Sequence, residues 1–189
     1  METIIKRELI YDKKICRMLS VGAFISFTAL SAFIRIPLPF TPVPLTLQTF
    51  FVLLSGALLG RKLGGFTQIS YMLLGLTGLS VFTGTGTGAL YLFGPTGGYI
   101  IGFILAAFVA GSLFEKQEKN RISVFLKLLS ADFVLLACGT LWLKISLSIP
   151  LSRAFLIGFL PFIFGDALKA ALAATIYNAI HSRIKAVLY

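Results

Sequence analysis

Asp166 and Lys169 stand three residues apart in FGDALKA, residues 164–170, inside a stretch from Ala154 to Ser182 that carries no other charge. At that spacing two side chains share one helical face, with Cβ atoms about 5–6 Å apart. A carboxylate and an ammonium so placed offer an acceptor and a donor to one ligand, or hold each other as an ion pair that fixes helix register. An ionised side chain at mid-membrane costs about 2.5–3.5 kcal/mol on insertion scales, so the pair is expected to face the bundle interior. Gly165 and the alanines at 167, 170, 171, 173 and 174 permit close helix packing around it.

Other reactive side chains form no constellation. Asp132 is a candidate partner for Lys127 or a nearby hydroxyl. His181 stands alone near the chain end, and Cys16 and Cys138 have neither a histidine partner nor metal-ligand spacing. No metal site and no cofactor are expected. GTGTG, residues 84–88, lacks the spacing of a dinucleotide fingerprint, and no GxxxxGK[ST] loop occurs. An intramembrane enzyme using Asp166, Lys169 and Asp132 would therefore lack a nucleophile and base. A stand-alone secondary transporter, with Asp132 or Asp166 carrying a coupling proton, is the main alternative to a binding subunit, although no internal repeat supports it.

The elements that must position these groups are membrane helices. With 57% hydrophobic and 13% charged residues among 189, and a mean hydropathy of +0.93, the chain has more apolar surface than a soluble domain could bury. The net charge of +10 is spread in short clusters between apolar runs, a membrane-topology pattern rather than a nucleic-acid surface. We expect an all-α membrane protein, one integral membrane domain over residues 1–189. Its six transmembrane helices fall near residues 18–34, 45–60, 63–82, 97–114, 122–143 and 154–182. The second is short, which implies local thinning or shielding by its neighbours. Twelve loop Lys and Arg residues fall on one side, against Arg35, Lys144 and Arg153 on the other. The positive-inside rule then puts both termini in the cytoplasm of a multi-pass cell-membrane protein. The basic start and Ala29-Leu30-Ser31-Ala32 resemble a signal peptide, but apolar spans continue through the whole chain, with no secreted domain to follow.

Two uncharged stretches resist a helical reading. Four prolines in RIPLPFTPVPLT, residues 35–46, impose an extended segment. Six glycines in VFTGTGTGALYLFGPTGGY, residues 81–99, predict a long Gly/Thr-rich loop. Backbone of this kind is tolerated at membrane depth when buried in protein or lining a wet cavity, so both are candidates for an extracellular lid.

RIPLPFTPVPLTLQTFFVLLSGALLG, the loop ending GPTGGY, and GDALK together resemble the BioY family, biotin-specific S components of energy-coupling factor (ECF) transporters. The similarity runs nearly the whole length, in order. It implies a membrane subunit that captures biotin from outside and docks on a T component driven by two ATPase subunits. It also implies roles. Asp166 would take the ureido N–H groups of biotin, and Lys169 the ureido carbonyl or, alternatively, the biotin carboxylate. Tyr91, Phe93 and Tyr99 would wall the rings, Gly84, Gly86 and Gly88 would let backbone amides approach, and Gln48 would add a polar contact. Some members carry an asparagine in the glycine loop or an arginine after GGY; this chain has Gly86 and Ile100 there. T-component docking would use small residues four apart on the first helix, for which Gly22 with Ser26 and Thr28 with Ala32 are the nearest matches.

Overall fold

The structure, a computed structural model, describes residues 13–115, 118 and 120–188. Helix α1 (Lys13–Ser31) leads to a two-stranded antiparallel hairpin, β1 (Arg35–Ile36) and β2 (Leu45–Thr46), pairing Arg35 with Thr46. The segment expected to be extended doubles back instead: the prolines lie in and around a turn, closed by the Thr41 N–H donating to Leu38 O, between the two short strands. Helix α2 (Gln48–Leu76), a 3-10 turn (Thr83–Thr85), and helices α3 (Gly88–Phe93), α4 (Gly97–Leu113), α5 (Arg121–Ser146), α6 (Leu151–Gly158) and α7 (Leu160–Leu188) follow. The protein is an all-helical, multi-pass membrane protein, with the small β-hairpin as its one sheet among the described residues.

Helix α2 is not a rod. Gly60 takes φ 78°, ψ 174°, and the chain folds back there. In a straight helix residues 48 and 71 would lie roughly 35 Å apart, yet Gln48 Nε2 donates to Tyr71 Oη at 2.7 Å. Gln68 Nε2 likewise donates to Ser55 Oγ at 3.0 Å. Between those ties the arms close until a Cβ added to Gly64 would stand 2.7 Å from Gly56 Cα. The first arm, residues 48–59, is buried along almost its whole length. Its shortness is thus met by protein, which surrounds it on all sides.

Helix α4 packs on α2 and α5, α1 covers α2, and α7 closes the bundle against α2 and α5. The core divides into two clusters. One gathers Leu53, Leu58, Phe114, Leu128, Ala170 and Tyr177 toward the Gly60 end. The other gathers Tyr71, Phe82, Tyr99, Phe103, Leu135 and Phe162 toward the β-hairpin end. On α7, Phe162 belongs to the second and Ala170 to the first, so Asp166 and Lys169 sit at their junction.

Two departures from the expected helices have local causes. The glycine stretch is not loop throughout, because GALYLF, residues 88–93, forms α3. Gly88 enters at φ 73°, which glycine permits, and the next residues are good helix formers. The last apolar segment is divided at Phe159 into α6 and α7. Pro161 in the first turn of α7 tolerates a helix start but not a helix continuing from α6.

At the other end Glu118 clips the loop before α5. Its carboxylate accepts from Ser123 Oγ at 2.7 Å, Lys127 Nζ at 3.0 Å and the Asn120 N–H at 3.2 Å. These partners, Ser123 first, hold its carboxyl well below the usual range, at about 2. Lys127 is therefore engaged by Glu118 and not by Asp132. Of the small-residue pairs expected on the first helix, Gly22 and Ser26 lie on the exposed face of α1, whereas Thr28 and Ala32, the latter just past the end of α1, are buried in the protein.

Candidate functional site

Asp166 and Lys169 are both buried, at 1% and 7% exposure, and bond each other: Lys169 Nζ to Asp166 Oδ1 is 2.6 Å. A third residue completes the arrangement. Thr49, in the first turn of α2, accepts from Lys169 Nζ at 2.9 Å and donates to Asp166 Oδ1 at 3.0 Å. The hydroxyl suits this place because it donates and accepts at once.

The triangle leaves chemistry unused. Its bonds to the carboxylate all fall on Oδ1, and the ammonium spends two of its three hydrogens. Among the described residues, Oδ2 of Asp166 and one hydrogen of Lys169 remain for a ligand. Both side chains line a cavity with Gln48, Thr49, Tyr91 and Tyr99, closed by Phe103, Leu135, Leu136 and Phe162.

Packing fixes the walls. Tyr99 Oη donates to Gly158 O at 2.5 Å, which anchors the ring to the end of α6. The ring lies against Gly139, where a side chain would overlap it. Tyr91 stacks on Phe82 with centroids 5.2 Å apart, and a side chain at residue 86 would collide with the Tyr91 ring. Phe82 is wholly buried beside Gly75 and meets Tyr71 edge to face. Gly165 lets Leu45 of β2 reach α7; a Cβ there would stand 2.8 Å from Leu45 Cδ1. The β-hairpin thus rests directly on the helix that carries the charges.

Gln48 is part of the closure. Its Oε1 accepts from Thr83 Oγ1 at 2.9 Å, and its Nε2 donates to Tyr71 Oη, which donates to Val81 O at 2.9 Å. These bonds tie the segment carrying Val81 and Thr83 to both arms of α2. The cavity beneath leaves about 50 Å³ for water-sized spheres, room for a few waters but not for a bicyclic ring. Admitting a larger ligand requires its walls to part.

Residues 6–186 match the BioY family model. The chain belongs to the BioY family. It is 41% identical over 161 residues to the biotin transporter BioY of Thermotoga maritima, covering 85% of this chain and 92% of that one. It is 40% identical over 156 residues to a probable biotin transporter BioY of Pyrococcus horikoshii, covering 82% and 90%. A crystal structure of the S-component for biotin from an ECF-type ABC transporter superposes with a TM-score of 0.84 at 30% identity, over 90% of this chain and 93% of that one.

In this BioY family chain, five of the nine residues expected at the site line the cavity: Gln48, Tyr91, Tyr99, Asp166 and Lys169. Phe93 does not; it is 71% exposed, on the outer side of α3. Gly84, Gly86 and Gly88 are not among the lining residues either. The bare Cα positions of Gly84 and Gly86 instead admit the Arg35 guanidinium and the Tyr91 ring. Thr49 and Thr83 were missed. Threonine is common in both stretches, and only the fold brings Thr49 to a helix more than a hundred residues away. Asp132 lies outside the cavity, 1% exposed, with Oδ1 unpartnered among the described residues, in a separate apolar recess beside Phe133 and Phe159.

Proposed function

We propose that the chain is a biotin-capturing membrane subunit, the S component of an ECF-type transporter, and not an enzyme. The observation that carries this reading is the buried Asp166–Thr49–Lys169 triangle, with one carboxylate oxygen and one ammonium hydrogen to spare in an aromatic cavity. The ureido edge of biotin presents N–H beside C=O, the complement of that pair. Charge-assisted bonds of this kind are stronger than neutral ones. Once the walls part, the fused thiolane ring lies between Tyr91, Tyr99 and the apolar floor. Asp166 takes the ureido N–H, Lys169 the carbonyl, and Thr49 holds both in register. Family membership and the likeness to a biotin S-component support the same reading.

With α2 folded at Gly60, the chain crosses the bilayer six times: α1, two arms of α2, α4, α5, and α6 with α7. Both termini and the Gly60 bend face the cytoplasm, and the β-hairpin with residues 77–96 forms the extracellular lid. Transport follows docking on a T component energised by two ATPase subunits.

The test is binding to the purified protein in detergent, with biotin, dethiobiotin and lipoate, and identification of co-purified ligand by mass spectrometry. Biotin and dethiobiotin, which keep the ureido group, should bind, and lipoate should not. Lipoate binding as tightly as biotin would remove the ureido assignment.

A further inference from the structure

We infer that Arg35 forms an anion subsite at the mouth of the cavity and receives the carboxylate of the ligand whose other end rests on Asp166 and Lys169. This rests on the biotin reading and adds to it the recognition of the second polar end.

Arg35 stands between two parts of the mouth. Across the β-hairpin it pairs with Thr46, a lining residue, and its guanidinium occupies the space that a side chain at residue 84 would fill. Gly84 follows Thr83, which also lines the cavity. With φ 73°, Gly84 is in the left-handed region, so glycine serves both the turn and the close approach of the cation. The side chain is exposed and, among the described residues, donates no hydrogen bond and meets no carboxylate. Its strength is uncommitted, with planar donors suited to a carboxylate.

Distance agrees. Thr49, which touches the Asp166–Lys169 pair, is three residues beyond Thr46, a path of at most about 10 Å even when extended. Strand partners stand about 5 Å apart, and an arginine side chain bridges that gap. A ligand with its hydrogen-bonding head at the triangle and a flexible acid tail running toward the mouth would place its carboxylate within reach of Arg35. Charge balance favours the same arrangement. Lys169 is already neutralised by Asp166 at 2.6 Å, so an acid group brought beside it would face Asp166 as well. Arg35, Lys144 and Arg153, the cations expected on this side, all stand outside the cavity lining, but Arg35 is paired with the lining residue Thr46 and packed against Gly84, next to the lining residue Thr83.

The experiment compares biotin with its neutral amide on the wild type, Arg35→Gln and Arg35→Lys. We expect the wild type to bind biotin about tenfold more tightly than the amide. Arg35→Gln should bind both alike, near the wild-type affinity for the amide, and Arg35→Lys should keep part of the preference. Added salt should weaken biotin, not the amide, in the wild type and to a lesser degree in Arg35→Lys, but not in Arg35→Gln. An undiminished preference in Arg35→Gln would place the carboxylate elsewhere and overturn the assignment. Equal weakening of both ligands would reduce Arg35 to a strut between the strand and the turn. A wild type that binds both equally refutes the subsite but leaves the biotin reading standing; one that binds neither removes both.

Discussion

At the scale of single residues, neither charge of the buried pair is alone. Lys169 without Asp166, or Asp166 without Lys169, would be a buried and uncompensated ion. Asp166→Asn and Lys169→Met should each weaken biotin binding by about 1.5–3 kcal/mol, roughly ten- to a hundredfold, as a bond to a charged group is lost. Combining the two changes tests whether the pair is only a staple. We expect the double variant to fold, because no unpaired charge is left, and to fail to bind. Near wild-type affinity in that folded protein, by titration calorimetry, would refute the site. The charged pair was legible in the sequence since charge inside an apolar run is rare and i, i+3 spacing fixes a shared face. Thr49 was not, because a hydroxyl is unremarkable until the fold sets it against α7.

At the scale of elements, the mouth is latched to the helical hairpin by side chains. Thr83 Oγ1 to Gln48 Oε1, and Tyr71 Oη to Val81 O, must both break before the segment lifts. Thr83→Val keeps the shape and removes one of these bonds, about 0.5–1.5 kcal/mol. Dissociation of biotin, followed by chase with unlabelled ligand, should therefore quicken by about two- to tenfold. An unchanged rate would mean that ligand leaves by another route. The bend in α2 was foreshadowed by Gly60 followed by Arg61 and Lys62, a break in apolar character. Helix α3 was hidden, because the glycines around it outweigh six residues of good local propensity. Phe93 misled for a related reason: its aromatic neighbour Tyr91 lies two positions away, and on a helix such residues face different directions. A loop would have left both free to turn inward.

At the scale of the whole molecule, the twelve-to-three charge asymmetry and the folded α2 support the proposed topology, which can be measured. Single cysteines introduced in residues 115–121 and at the carboxyl terminus should resist an impermeant reagent applied to intact cells, while one near residue 79 should react. The reverse pattern would invert the orientation. The folded α2 also bears on how the chain enters a bilayer during synthesis. At 1.5 Å per residue its arms, residues 48–59 and 61–76, reach about 18 and 24 Å, each short of a hydrocarbon core about 30 Å thick. Gln48 and Ser55 on one arm find Tyr71 and Gln68 on the other. A nascent chain that has completed only the first arm has produced a segment too short to span, with Gln48 still lacking its Tyr71 partner. In the proposed topology integration is expected to wait for the second, so that the two arms enter lipid together, as one co-translational unit, with Arg61 and Lys62 kept on the cytoplasmic side.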